Sequence, residues 1–155
     1  MKMAGTIGTS IVTQVAFIVK DVVASKKKFA EFLGLPVPEN VDCGEYAVTQ
    51  TQFMGKPAPD ALCTMAFFDV GPGLQIELIE PNEAPSVWRN FLVEHGEGIH
   101  HIAFNVKGMN DKIIACENFG MKLVQKGEYG DASGCYAYLE AQDDLKCLVE
   151  LLEDY

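Results

Sequence analysis

The sequence predicts an α+β fold made of two βαβββ modules, because two stretches of the chain recur later in the same register. Gln14–Lys20 (QVAFIVK) matches His101–Lys107 (HIAFNVK), with alanine, phenylalanine, valine and lysine at the same places. Leu74–Glu80 (LQIELIE) matches Cys147–Glu153 (CLVELLE). Each copy therefore begins and ends with a strand-like apolar run, and a glycine-terminated helix follows the first run in both copies.

The first module is predicted over residues 11–82. It opens with a strand over Val12–Val19, where apolar side chains alternate as one buried face of a sheet requires. A helix is predicted over Asp21–Leu33, and Gly34 stands where a left-handed C-terminal cap belongs. The other three strands are predicted near Glu45–Gln52, Ala61–Val70 and Leu74–Ile79.

The second module is predicted over residues 99–153 and repeats this plan. A connecting helix over 86–94 (SVWRNFLVE) precedes it, with its apolar side chains at helical spacing. Its first strand is predicted over His100–Val106 and its helix over Asn110–Phe119, ended by Gly120. The other three strands are predicted near Lys122–Glu128, Gly134–Leu139 and Lys146–Leu152.

Length and composition predict a single domain over residues 1–155, with 48% hydrophobic residues to build a core. The net charge of −10 argues against general affinity for nucleic acids or membrane surfaces. No stretch approaches the ~20 apolar residues of a membrane span. Five scattered cysteines without CxxC spacing indicate reduced thiols, so we expect a cytoplasmic protein.

The repeat pairs Gln14 with His101 and Glu77 with Glu150, four polar residues set into apolar strands. A carboxylate facing the interior without a partner costs several kcal/mol, roughly. For one strand, a solvated face would be the simpler interpretation, and a lone histidine is more often a core residue than a ligand. Embedded carboxylates at matched positions of both copies instead favour a shared cation.

One nitrogen and three oxygen donors suit a borderline divalent ion such as zinc, nickel, cobalt or manganese. The four side chains can converge only if the two copies pack around one shared, concave sheet. Strand alternation places His101 on the opposite face from His100, so His101 is the predicted ligand.

The segments QVAFIVKD, FLGL, IELIEP, GEGIHHIAF and VELLE resemble signatures of the vicinal oxygen chelate superfamily. That group includes glyoxalase I, methylmalonyl-CoA epimerase, extradiol dioxygenases and bleomycin-resistance proteins. The resemblance extends from Val12 to Glu153 and implies curled mixed sheets that enclose a metal cavity. It also implies that the metal ligands are Gln14, Glu77, His101 and Glu150. This donor set is similar to that of eukaryotic, zinc-type glyoxalase I.

The segments IELIEP and HGEGIHHIAF resemble the epimerase branch of this superfamily more closely than the glyoxalase branch. Glyoxalase I usually carries an arginine and an asparagine, which hold glutathione, where this chain has Ile18 and Pro81. Some epimerases use a second glutamate on the strand that faces the metal, and LCTMAFF has no carboxylate. Glu45 and Asp60 are the candidates for that second acid.

The resemblance implies a divalent-metal-dependent enzyme that transfers a proton α to a carbonyl through an enediolate, as a methylmalonyl-CoA epimerase does. Glu150 is the predicted catalytic base. The alternatives are a lactoylglutathione lyase and a non-catalytic binding protein. A dioxygenase normally needs two histidines and one carboxylate on iron, which disfavours it here. The expected partners are a carboxylic acid thioester or 2-oxo compound and a second copy of the chain, with no nucleic acid and no membrane.

Overall fold

The computed structural model describes residues 5–155, so residues 1–4 of the predicted domain lie outside it. The strands are β1 (Gln14–Ile18), β2 (Val41–Asp42), β3 (Gln52–Phe53), β4 (Lys56–Pro57), β5 (Cys63–Gly71), β6 (Leu74–Pro81), β7 (Gly98–Asn105), β8 (Lys122–Glu128), β9 (Gly134–Glu140) and β10 (Leu148–Asp154). The helices are α1 (Val22–Leu33), α2 (Tyr46–Thr49), α3 (Val87–His95), α4 (Met109–Phe119) and α5 (Gln142–Leu145).

The described strands form one mixed sheet in the order β2-β5-β6-β1-β7-β10-β9-β8-β3-β4. Its two halves repeat the same pairing, since β1 lies parallel to β6 as β7 lies parallel to β10. Each parallel pair then continues into an antiparallel partner, β5 in the first half and β9 in the second. The halves join where β1 pairs antiparallel with β7. The predicted α+β class with a curled mixed sheet is confirmed, and the four repeated segments form its centre.

The helices begin and end close to the predicted residues. Asp21 caps α1 by accepting a hydrogen bond from the Ala24 amide at 2.9 Å, and Gly34 adopts the left-handed conformation that ends the helix. Ser86 caps α3 in the same way through the Arg89 amide. The short helix α5 connects β9 to β10. No helix within residues 5–155 has the length and apolar content needed to cross a membrane.

Each half packs its own long helix against the sheet. Helix α1 covers the first half through a cluster that includes Val22, Ala30 and Leu78. Helix α4 covers the second half through a cluster that includes Ile113 and Leu151. A third cluster lies at the centre, beneath α3, and includes Ala16, Ile79 and Trp88.

The strand predicted over Glu45–Gln52 is wrong. Residues Tyr46–Thr49 form helix α2 instead, and the chain then pairs β3 with β8 at the far edge of the second half. The apolar alternation in this segment fits a short helix as well as a strand, and the pairing partner lies more than seventy residues away. Strand β2 still pairs with β5 in the first half, and residues 43–57 then form an excursion that completes the sheet of the second half.

The excursion touches the second half most closely at a pair of glycines. A Cβ atom on Gly44 would lie 2.5 Å from the Gly130 Cα atom, closer than packed atoms can approach. Gly44 also has a φ of 99°, which favours glycine. Only glycine at this crossing lets the excursion close over the sheet.

Candidate metal centre

The four residues singled out by the repeat lie on the four central strands. Gln14 is on β1, Glu77 on β6, His101 on β7 and Glu150 on β10. All four are buried, with 6%, 5%, 0% and 5% of their surface exposed, in that order. The structure therefore brings together every predicted ligand, and it does so within one chain.

Strand register explains the convergence. Ala16 lies directly opposite both Glu77 and His101, on the two strands that flank β1. Ala103 holds the matching place in the second half, opposite Glu150 on β10 and Gln14 on β1. Both alanines are fully buried, and they are the alanine that is identical in the two sequence copies. Their small side chains leave room for four larger polar groups to meet.

The polar atoms of the four residues form a close cluster. His101 Nε2 lies 2.8 Å from Glu150 Oε2 and 3.4 Å from Glu77 Oε2. The same nitrogen lies 3.2 Å from Gln14 Oε1. The candidate ligand atoms of the two glutamates and the histidine all lie within 4.8 Å of one another.

The donor set fits a divalent cation. The Gln14 amide atom nearest the centre lies 2.9 Å from Glu77 Oε2 and 3.1 Å from Glu150 Oε2. If this atom is the amide oxygen, it faces only hydrogen-bond acceptors. If the amide is turned so that its nitrogen lies there, the nitrogen donates to both carboxylates. A cation would bind all four lone pairs at once, and two carboxylates balance its charge.

A β-bulge corrects the prediction that His100 and His101 lie on opposite faces. The register between β1 and β7 shifts after Ala16, which opposes His101, to Phe17, which opposes Ile99. His100 is the additional residue, so both rings are buried on one side with their Nδ1 atoms 2.9 Å apart.

This contact fixes which nitrogen of each ring carries a proton. His100 Nε2 lies 3.3 Å from the Val87 carbonyl oxygen, which can only accept, so His100 donates there. Burial lowers the pKa of His100 well below its usual value, which keeps the ring neutral and its Nδ1 an acceptor. His101 therefore donates a hydrogen bond from Nδ1, and its Nε2 faces the oxygen atoms of Gln14, Glu77 and Glu150.

Electrostatics also link His101 to the two glutamates. Burial lowers the pKa of His101, but the charge of Glu150 and hydrogen bonds to Glu150 and Glu77 outweigh it and raise the pKa to about 9. Burial raises the pKa of Glu77, against a hydrogen bond from His101 and with repulsion from Glu150. The cluster thus holds positive charge strongly, as a proton or as a metal ion.

The cluster opens into a cavity of about 1040 Å³ on the concave face of the sheet. Gln14, Glu77 and Glu150 line it, so their polar atoms are accessible to a small molecule. Neither candidate for a second acid lines it. Glu45 is exposed at the start of α2, and Asp60 is exposed on the loop before β5. The aromatic residues of the lining are Phe67, Trp88, Tyr129, Tyr136 and Tyr138.

Tyr138 is a site residue that the repeat did not identify. It lies opposite Glu150 in the β9–β10 pair, and its ring centroid is 5.0 Å from that of His101. Trp88 Nε1 donates to its hydroxyl oxygen at 3.0 Å, which fixes the ring beside the donors. The alternation of Tyr136 and Tyr138 was the available signal, since both lie on the face that Glu150 occupies.

Cys43 is a second lining residue that the sequence did not indicate. The Cys63 amide donates to its sulfur at 3.3 Å, and a hydrogen bond from the Cys63 thiol lowers the pKa of Cys43 to about 7. A thiolate is therefore available in the cavity wall near neutral pH.

Residues 13–139 match a family model described as the Glyoxalase/Bleomycin resistance protein/Dioxygenase superfamily. Among curated proteins, the chain is similar to the uncharacterized protein YqjC of Bacillus subtilis, with 33% identity over 90 residues. That segment covers 57% of this chain and 64% of the length of the relative, somewhat less than two thirds.

Solved structures with the same fold have about one fifth of their residues identical. The hypothetical protein BH1468 from Bacillus halodurans superposes with a TM-score of 0.66, at 21% identity, covering 94% of both chains. Methylmalonyl-CoA epimerase from Mycobacterium tuberculosis gives a TM-score of 0.61, at 20% identity, covering 100% of this chain and 93% of that one. A variant of the Streptomyces coelicolor epimerase in complex with 2-nitronate-propionyl-CoA gives 0.61, at 20% identity, covering 94% and 97%.

Proposed function

We propose that this chain, which belongs to the glyoxalase, bleomycin resistance protein and dioxygenase superfamily, is a divalent-metal-dependent enzyme. The enzyme would move a proton α to a carbonyl group. One observation carries the proposal. Gln14, Glu77, His101 and Glu150 meet, buried, at a cavity large enough for a small molecule. Buried carboxylates held together without lysine or arginine beside them are typical of metal sites.

In this proposal Gln14, Glu77 and His101 hold the metal, which is zinc, nickel, cobalt or manganese. The cation would supply Lewis acidity, which stabilises negative charge that develops on a substrate oxygen. Glu150 acts as the base and takes the α-proton, since its carboxylate lines the cavity and lies beside the histidine. The hydrogen bond from His101 Nδ1 to His100 keeps the imidazole oriented during that transfer.

The carbon and the face at which the proton returns decide the reaction. Return to the same carbon from the other side gives epimerisation, and return to the neighbouring carbon gives the glyoxalase type of isomerisation. The epimerase type is our first candidate, supported by the fold shared with methylmalonyl-CoA epimerases. The donor set supports the lactoylglutathione lyase type as the second candidate. The substrate would be a carboxylic acid thioester or a 2-oxo compound.

Two other functions receive less support. A dioxygenase would need a second histidine on the metal, and both ring nitrogens of His100 are already engaged, with Val87 and with His101. A non-catalytic binder does not require four buried metal-binding side chains in one cluster, and this chain has all four.

Several expectations from the sequence stay predictions. They are the module boundaries 11–82 and 99–153, the connecting helix at 86–94, the homodimer and the cytoplasmic location.

The first experiment measures metal by plasma mass spectrometry on protein purified without chelators, with zinc, nickel, cobalt and manganese added back. We expect about one ion per chain. His101→Ala should lose it, while His95→Ala, at an exposed histidine on α3, should keep it. Failure of the parent protein to retain any of the four metals would overturn the proposal.

The second experiment incubates the metal-loaded protein in deuterated water with thioesters and 2-oxo compounds of differing charge. A substrate gains one deuterium at the α-carbon, which mass spectrometry detects. A protein that holds metal but exchanges no α-proton in any of these compounds would be a binding protein.

A further inference from the structure

We infer that the substrate of this cavity is an uncharged or cationic carbonyl compound, and that coenzyme A thioesters and other phosphorylated molecules are excluded. The inference rests on the proposed function, whose substrate class it narrows. It follows from the charges that line the cavity, from the charge balance at the metal centre and from the aromatic walls.

The lining of the cavity carries negative charge that no basic lining residue of the described chain balances. Five carboxylates join the two glutamates of the cluster around the same cavity: Asp42, Asp69, Glu128, Asp131 and Asp154. Among residues 5–155, no lysine or arginine lines it. None of the five forms an ion pair within the described chain.

The polar contacts of these carboxylates are to neutral groups. Asp69 accepts from the Gln75 amide at 3.0 Å, and Glu128 accepts from the Tyr155 hydroxyl at 2.6 Å. Asp131 accepts from the Ser133 hydroxyl and its amide. Lys107 donates to the backbone carbonyl oxygen of Asp154 and forms no ion pair with its carboxylate. Neutral donors orient the carboxylates without cancelling their charge.

The floor of the cavity offers no positive charge to an anion. Glu77 and Glu150 together cancel the charge of a divalent cation, and Gln14 and neutral His101 add none. The potential inside the cavity is then set by the five rim carboxylates, in a protein of net charge −10. A phosphate that enters meets repulsion from several sides, and a cation meets attraction.

The chain's only basic run is placed elsewhere. Lys26, Lys27 and Lys28 lie on α1, outside the lining. Lys26 is buried and donates to the Pro38 carbonyl at 2.7 Å, and Lys28 pairs with Glu31 at 3.1 Å. This run therefore does not supply a phosphate site at the cavity.

The walls suit an organic ligand that has a body beyond the reacting carbonyl. Five aromatic side chains line a volume of about 1040 Å³, which a carbonyl compound of a few carbon atoms would not fill. Aromatic faces attract organic cations as well as apolar groups. Aromatic walls with a carboxylate rim favour an uncharged or cationic ligand over a polyanion.

The test uses the cobalt-loaded protein and three hydroxamic acids, because a hydroxamate offers a metal two adjacent oxygens as an enediolate does. The three probes share one aromatic body and differ only in the tail, which carries trimethylammonium, hydroxyl or phosphate. Binding is followed by the change in cobalt visible absorption. We expect the phosphate probe to bind at least about tenfold more weakly than the hydroxyl probe, and the ammonium probe as tightly or more tightly.

Two variants and salt connect this difference to the rim. The triple variant Asp42→Asn, Asp131→Asn, Asp154→Asn should bring the phosphate and hydroxyl probes to within about threefold, and high salt should shrink the difference in the parent. A matched triple variant at exposed carboxylates outside the lining, Glu39→Gln, Glu94→Gln, Asp143→Asn, should leave the difference unchanged.

The outcomes separate this inference from the proposed function. Equal or tighter binding of the phosphate probe overturns the inference and leaves a metal-dependent enzyme standing. If no probe alters the cobalt spectrum, the cluster is not an open metal site, and the proposed function fails together with the inference.

Discussion

The two halves of the sheet contribute equally to the candidate site in number of residues but not in the kind of ligand they supply. The second half supplies His101 and Glu150, which lie 2.8 Å apart. The first half supplies Glu77 and Gln14, which lie 3.4 and 3.2 Å from the histidine nitrogen. The second half also carries His100, whose ring orients His101. The second half therefore supplies the nitrogen ligand together with the group that orients it, and the first half closes the cluster with two oxygen ligands.

The halves differ also in what surrounds their repeated strands. In the second half, β8 and β9 continue the sheet directly. In the first half, β5 continues the sheet as β9 does, but the counterpart of β8 leaves as the excursion at 43–57, which begins where Asp42 and Cys43 line the cavity wall. Strands that carry donors follow the repeat, and the segment that departs from it shapes the cavity.

The sharpest comparison replaces one glutamate in each half. Glu150→Gln should lower α-proton exchange by about a thousandfold, because the base is lost, while the fold and bound metal remain. Glu77→Gln should lower exchange by only about tenfold when metal is in excess, because it removes a ligand and not the base. Deuterium incorporation into the substrate found by the exchange screen measures both. Equal losses in the two variants would contradict the assignment of the base.

The protonated state of His101 predicts how pH affects the metal-free protein. Its pKa is raised from 6.5 to about 9, so the stabilisation is complete below pH 6.5 and is lost as pH rises through 9. The free energy of unfolding should fall by about 3 kcal/mol across that window. Urea unfolding of chelator-treated protein at a series of pH values measures this. His101→Gln should flatten the profile, and an unchanged slope would show that another group is responsible.

His101 and Gln14, the two remaining candidate ligands, should differ in how much they contribute to metal affinity. His101→Ala should weaken metal binding by about a hundredfold, since it removes the nitrogen donor that lies beside all three others. Gln14→Ala should weaken it by about tenfold, because a neutral amide is the weakest ligand of the four. Competition with a chromophoric chelator gives both values. A larger loss for Gln14→Ala would reverse the order of the two halves.

The smallest expected effect concerns the support of His101. His100→Phe removes the acceptor for His101 Nδ1 and should weaken metal binding by about tenfold. His100→Asn, whose side-chain oxygen can take the place of Nδ1, should restore most of that affinity. Nitrogen NMR of the imidazole in metal-free protein above pH 9, where the His101 ring is neutral, should show a mixture of tautomers in the first variant only. Identical affinities in the two variants would leave His100 as a packing residue.

The repeat predicted the centre of the sheet and all four members of the cluster, because matched positions on paired strands meet in space. It could not predict the β-bulge at His100, since strand alternation is a local rule and one additional residue inverts it. The excursion was missed for a different reason. Phe53 pairs with Gln125 on β8, and no local pattern identifies a partner so distant in the chain.

The pairing of β3 with β8 also determines what would happen if the chain were cut. Cleavage within α3 would give two fragments that remain interleaved, because the N-terminal piece supplies the outermost strands of the C-terminal piece. Neither fragment would hold more than two of the four donors. Reassembly of separately produced fragments would then restore sheet and cluster together, so that uptake of a metal ion would report the joining of the two pieces.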